Sequence, residues 1–571
     1  MSDTEPSIEF FDVLDKHTID LCCNLMNHPF EFFTKDSNFA LAASHRRSTP
    51  DLISVFSTVK YLQNKIQYFT DWPLYEQIIA SIDHVPVSSS PIQVISPENE
   101  KLKFTEFRNR VNLNLIEDMK PFKNWEKSRL FELDELKSFI SLMSSIIWLN
   151  EHISMVLLSL AKLTYEKSYG SFDFRIEDAK IEHLHNCWFG VALDNSSLHA
   201  ADMKMIVLKN SFKNKGSRKI IENEAFIDAM TIFPQHWRVP LDTKSFVGLL
   251  WHDLISLIEL AVYGLEKFEE NKSFTKSDLY MCGYLDIYLI ISNCKSSQER
   301  DKLFVEDCNE IRLTNRKFAH SLICSAETLA KAKLGDEWNN KSSDQQKEYF
   351  YGKLKSNKNV QVIMSELTKD DVEDSAIRID VDCFVKHKST SIIYAVQLKH
   401  LENSFKCGLL DWLSFFRSDK KLRGGVDQLV NLPKLIESDE TTKSYLRNLL
   451  DINNEELKKI VPVIVQNIGS LDFWRVNAGV LIYDINTFCN VLNGHEYTYM
   501  EKVGSHFSRG GAVQYNEARV PPLNKPKEII ENYTSANDKL SWDLKNYKYA
   551  SNICRELHLN DYKFRAIGLG V

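Results

Sequence analysis

The 571-residue chain lacks any CxxC pair; its eleven cysteines are scattered, and only Cys22 and Cys23 are neighbours. That absence excludes a paired-thiol redox motif. An odd, dispersed set reads as reduced thiols in a reducing compartment, so a cytoplasmic location is expected. No GxxxxGK followed by Ser or Thr occurs, and no GxGxxG or GxSxG. A P-loop ATPase, a dinucleotide enzyme and an α/β-hydrolase are therefore disfavoured. The opening MSDTEPSIEFFDVLDKH has no positive region followed by an apolar one, so no secretory signal is expected. There is no surplus of base either. A net charge of −8 excludes a uniformly basic nucleic-acid coat but not a local basic groove. Long apolar runs free of acid are also missing. Segments 138–161, 246–265 and 279–292 are each interrupted, by Glu151, Asp253 and Asp286. A membrane span needs about 20 predominantly apolar residues, and central acids are costly. Buried helices of a globular protein are expected instead, and no membrane partner. No internal repeat or low-complexity tract is visible.

What is present is ordinary in bulk and informative in pattern. Hydrophobic residues make up 43% and charged residues 26% of the chain. Both values suit a globular protein of two to four domains at roughly 100–200 residues per domain. Residues 1–335 read as a large all-α region, possible to split near 210–240, with loops at SSSP (88–91) and around Gly216. The polar stretch GDEWNNKSSDQQ (335–346) marks the expected boundary. After it the texture changes. KEYFYGKL (347–354) reads as a short helix. NVQVIMSEL (359–367), AIRIDVDCFVKH (376–387), SIIYAVQLKH (391–400), IVPVIVQNI (460–468) and AGVLIYDIN (478–486) are Val- and Ile-rich, and read as strands. LLDWLSFF (409–416) and VDQLVNLPKLI (426–436) read as helices between the third and fourth strands. Strands interleaved with helices argue for an α/β sandwich over 336–495. Residues 496–571 are expected to be a C-terminal helical extension, with helices at 525–533 and 537–547.

Two of the strands carry chemistry. Side chains alternate faces along a strand, so Asp380 and Asp382 share one side of IDVDCFV, and Gln397 and Lys399 share one side of YAVQLKH. If the two strands pair as a hairpin, one face carries two acids opposite an amide and an ammonium. Phosphodiester cleavage uses a hard cation to polarise the phosphate and lower the pKa of an attacking water. Mg²⁺ takes oxygen ligands, often only one or two carboxylates.

This arrangement resembles the PD-(D/E)XK, or restriction-endonuclease-like, nuclease superfamily. Its motif is an Asp on one strand and (D/E)-x-K on the next. Gln397 stands where Glu or Asp is usual, and YAVQLKH looks like the Q-x-K variant of the Mrr-type branch. The resemblance covers roughly residues 345–490. It implies an α/β/α sandwich and a hydrolase: a Mg²⁺- or Mn²⁺-dependent endonuclease of the restriction or antiviral-defence kind, acting on DNA ahead of RNA. Asp382, Gln397 and Lys399 would be catalytic. Asp382, Asp380, the Gln397 amide oxygen and the Leu398 carbonyl would hold the metal. The superfamily can add an upstream Glu; Glu348 is preferred here, with Glu366 as the other candidate. In RSDKKLRGGVDQLV, the basic residues Arg417, Lys420, Lys421 and Arg423 precede a helix and suit phosphate contacts, and Gln428 matches a helix Gln of the family. The helical N-terminal region would mediate assembly, with a second copy or a partner subunit.

Two rival readings stay open. IRLTNRKFAHSLI (311–323) resembles the Arg…His motif of HEPN helical domains, which would make Arg316 and His320 an RNase pair. Arg and His four apart share a helix face, but the family places Asn directly after Arg, and here Asn315 precedes it. The other rival is a non-catalytic scaffold that binds nucleic acid or protein on a degenerate nuclease fold.

Overall fold

The computed structural model describes residues 15–67, 101–103, 130–176, 190, 194, 197–212 except 199, 224–240, 246–270, 272–293, 302–313 except 308, 318–364, 367–368, 379–402, 409–417, 422–493 except 473, 477 and 478, 497–502, 513–518, 554–559 and 562–567. The fold is mixed α/β. The chain divides into two compact units, neither contiguous. The first is made of 1–185, 407–418 and 545–571, the second of 186–406 and 419–544. This differs from the expected boundary at 335.

The first unit combines helices Lys16–Asn27, Asp36–Ser44, Pro50–Gln67, Leu133–Leu157 and Leu409–Arg417 with a four-stranded sheet. Asp15 caps its first helix, accepting from the backbone of His17 and Thr18. In the sheet, Ala161–Glu166 pairs antiparallel with Ser171–Ile176. Ser171–Ile176 then pairs in parallel with Tyr562–Ile567, the second strand of a hairpin with Cys554–Leu559. The N-terminal region is therefore not all helical. The described part of 496–571 is strand, since Tyr497–Lys502 and Val513–Ala518 form a further hairpin. The helices expected at 525–533 and 537–547, and the loops at 88–91 and around Gly216, lie outside the described residues.

The second unit holds the site. Its helical part includes α1 (Trp251–Glu269) and α2 (Phe318–Leu334), whose apolar faces join one core with Trp237, Phe246 and Trp338. The segment read as a polar boundary is instead the first half of α3 (Glu337–Lys355). Its buried residues are Trp338, Ser342, Gln346, Phe350 and Leu354. Spaced by four, they make a stripe one residue wide along the helix. Ser342 and Gln346 inside that stripe hide its amphipathicity from a hydropathy pattern.

After α3 come β1 (Val360–Ile363), β2 (Cys383–His387), β3 (Ile393–Lys399), α4 (Leu422–Leu429), β4 (Ile460–Gln466), β5 (Trp474–Val476) and β6 (Val480–Asp484). They build one six-stranded sheet in the order β5-β6-β4-β3-β2-β1. β1, β2 and β3 pair antiparallel, while β3, β4 and β6 run parallel. β4 is buried along most of its length, as a central parallel strand covered on both faces should be. Pro462 is tolerated because β4 pairs with β6 only from Val463 onward, so a missing N–H interrupts no second ladder. The expected helix over 426–436 breaks in two, with Leu432–Ser438 starting anew around Pro433.

Helices cover both faces. α4 packs on β3 and β4. On the other face Phe488, in the helix Ile485–Asn493, contacts Phe350 of α3, Tyr394 of β3 and Tyr483 of β6. Alternation along β3 therefore sends Tyr394 toward one layer and Gln397 and Lys399 toward the other. Among the described residues no helix is long and apolar enough to cross a membrane.

Candidate functional site

β3 is buried up to Leu398 and ends on half-buried Lys399, with Gln397 fully buried on the α4 side. An amide in that position must be held by hydrogen bonds or cost stability. Two are present: Gln397 Nε2 donates to Asp380 Oδ2 at 3.1 Å and to Gln428 Oε1 at 2.6 Å. Gln428 Nε2 also donates to Asp380 Oδ2, at 3.3 Å. The Lys399 ammonium donates to Gln428 Oε1 at 3.4 Å. Gln428 thus ties the acid, the amide and the ammonium together from α4.

Asp382 enters from a bend that separates the short strand Asp380–Val381 from β2. The bend keeps its backbone on β3, where its N–H donates to Val396 O at 2.9 Å. The Asp382 carboxylate accepts the Leu398 backbone N–H on Oδ2 at 2.7 Å. Its Oδ1 lies 3.2 Å from Lys347 Nζ. Both acids therefore face the end of β3 despite the break in the strand. Burial pulls the Lys399 pKa below its ordinary value, against the opposing pull of Asp380 and Asp382.

Gly425 sets how close α4 can approach. A Cβ there would lie 2.7 Å from Gln397 Oε1, 3.0 Å from Lys399 Cε and 3.1 Å from Ile464 Cδ1. The helix consequently presses on the amide, and Gln397 Oε1 is buried with no hydrogen-bond partner. A buried carbonyl oxygen left over in this way is an acceptor waiting for a cation or a donor. Among the described residues no three His, Cys, Asp or Glu side chains gather into a metal cluster. The donors here are two carboxylates, which is within the range that Mg²⁺ accepts when it keeps several waters; the Gln397 oxygen lies against Gly425, and its nitrogen faces Asp380.

Of the residues singled out in the sequence, the structure brings together Asp380, Asp382, Gln397, Lys399 and Gln428. Leu398 takes part through its amide, which holds Asp382. Glu348 is not brought in. It is exposed, about 200° round α3 from buried Gln346; the neighbouring Lys347 reaches the site instead. Arg417 belongs to the first unit, where it bonds Asp20 at 3.0 Å and Asn24 at 3.1 Å. Arg423 is mostly buried, with its Nε 3.4 Å from Asp427, so it is not part of a solvated phosphate-binding loop. Lys420, Lys421, Glu366 and Arg316 lie outside the described residues. His320 is buried on α2, with Nε2 3.3 Å from Cys324 Sγ.

Three supporting residues gave no sequence signal. Gln346 Nε2 donates to Lys399 O at 3.2 Å. Asn467, just after β4, clamps the Leu401 backbone from both sides, accepting at 2.8 Å and donating at 2.9 Å. These bonds fix the chain just past Lys399. Lys347 is the third. No protein-family model, curated protein or solved structure matches this chain.

Proposed function

We propose that this face is the centre of a metal-dependent nuclease that hydrolyses phosphodiester bonds, in DNA ahead of RNA. The observation that carries the reading is the convergence of Asp380, Asp382, Gln397 and Lys399 from adjacent strands, with the Gln397 oxygen buried and unsatisfied. The element order α3-β1-β2-β3-α4-β4, with β4 parallel to β3, supports it. It is compatible with the α/β/α nuclease sandwich that the sequence resemblance implies. A restriction or antiviral-defence effector is the setting that follows from the same resemblance.

The residues divide the work by chemistry. The Asp380 and Asp382 carboxylates would hold Mg²⁺ or Mn²⁺, and Gln397 Oε1 would join them once the amide turns its oxygen toward Asp380. A bound ion of that kind polarises the phosphate and makes an attacking water more acidic. The Leu398 N–H fixes the Asp382 rotamer. Gln428 accepts from the Gln397 amide and donates to Asp380, so it ties the two together. Lys399 places a positive charge where negative charge grows on the phosphate, and its partial burial strengthens that interaction.

The test is cleavage of supercoiled plasmid and of RNA by the purified full chain, with Mg²⁺, Mn²⁺ or a chelator. Cleavage with metal and none with chelator is expected. Asp382→Ala and Lys399→Ala should each lower the rate on the order of 10²-fold or more. Metal-independent cleavage of RNA alone would favour the Arg316–His320 reading. Binding without cleavage under either metal would leave a scaffold.

A further inference from the structure

Among the described residues, the cation that pairs with Asp382 is a lysine from another element. Lys347 projects from α3, and its ammonium lies 3.2 Å from Asp382 Oδ1. The other Asp382 oxygen takes the Leu398 N–H, and Asp380 Oδ2 takes the Gln397 and Gln428 amides. Counting formal charges, Asp380 and Asp382 are balanced by Lys347 and Lys399. Gln397 adds no negative charge of its own. A dication entering this arrangement finds its carboxylates already neutralised, and two ammonium groups oppose it. A phosphate arriving with the ion changes that balance, because it supplies both charge and oxygen ligands. Lys347 is also the more exposed member of the pair. Its side chain is 38% exposed, whereas that of Asp382 is 13% exposed. An ion pair that is this exposed on its lysine side is worth little against water.

We infer that Lys347 is a cationic placeholder on Asp382, which keeps divalent metal off the free protein until substrate phosphate enters with it. The inference rests on the nuclease reading above and adds an order to it: ion and nucleic acid bind together. Lys347 acts here as a positioning and gating residue.

The experiment measures Mn²⁺ binding to the full-length protein by electron paramagnetic resonance, with no turnover involved. Wild type, Lys347→Ala, Lys347→Gln and Asp382→Ala are compared, alone and with a non-cleavable phosphorothioate duplex. Without nucleic acid, both Lys347 variants should bind Mn²⁺ at least about tenfold more tightly than wild type. The duplex should tighten Mn²⁺ binding strongly in wild type and much less in the Lys347 variants. Asp382→Ala should bind in neither condition. Equal Mn²⁺ affinity in wild type and both Lys347 variants, with loss in Asp382→Ala, would overturn the placeholder and leave the metal centre standing. No Mn²⁺ binding by any of the four, with or without duplex, would instead sink the metal reading itself.

Discussion

At the scale of single residues, the site depends on a glycine as much as on its charged groups. Gly425 lets α4 lie against Gln397 and Lys399 at a distance no side chain allows. Gly425→Ala should push the helix off β3 and separate Gln428 from its three partners. The strain of such overpacking is typically ~1–3 kcal/mol. A lower thermal midpoint together with weakened activity is expected; an alanine variant with unchanged midpoint and rate would show that α4 has slack there. Gln397 and Lys399 could be read from sequence because strand alternation is a strict rule and they obey it on a continuous strand. Asp380 and Asp382 share a side for a different reason than alternation, since a bend intervenes. Lys347 was not readable. A helix turns about 100° per residue, so an error of one position in phase exchanges Lys347 for Glu348.

At the scale of elements, legibility followed hydrophobic contrast. β1 to β4 and β6 announce themselves as Val- and Ile-rich runs. The strands Ala161–Glu166 and Cys554–Leu559 do not, because AKLTYE and CRELHL mix charges into a partly exposed sheet. Each is half of a local hairpin, but the two hairpins join through Ser171–Ile176 and Tyr562–Ile567, segments nearly 400 residues apart, which no local pattern reports. The short helix Ile232–Trp237 raises a different point. It ends on Arg238, whose φ of 55° lies in the left-handed region. That turn aims the guanidinium at Asp484 of β6, 2.7 Å away and likewise buried. Breaking such a pair leaves a lone buried charge, which explains a non-glycine residue in that conformation. His236, within the same helix, is buried, and burial lowers its pKa to about 3, helped by Arg238, His320 and Lys204. The unfolded chain therefore binds a proton that the native state refuses. The resulting stability is complete above pH ~6.5 and is lost as pH falls from there toward the folded value. Thermal midpoints should fall between pH 7.5 and 5. His236→Gln, which cannot titrate, should flatten that slope; an unchanged slope would assign it to other groups.

At the scale of the whole molecule, the organisation could not be read from composition. A boundary at 335 looks natural because polarity peaks there, yet packing carries α3 into the same unit as α1 and α2. The excursion of 407–418 is equally silent in sequence. LLDWLSFF is an amphipathic helix wherever it packs, and its partner Lys16–Asn27 lies almost 400 residues away. The chain passes from one unit to the other four times.

That threading has a practical consequence for dissection by proteases. A single nick between residues 185 and 186 cuts only the first passage. The 1–185 fragment still has the strand Tyr562–Ile567 hydrogen-bonded beside Ser171–Ile176, and Arg417 still bonds Asp20 and Asn24. Both anchors stay covalently attached to the remainder of the chain. The nicked protein should co-elute as one species in native size exclusion and separate only in denaturant. Recovery of a free 1–185 piece under native conditions would mean that these seams are weaker than the strand pairing indicates.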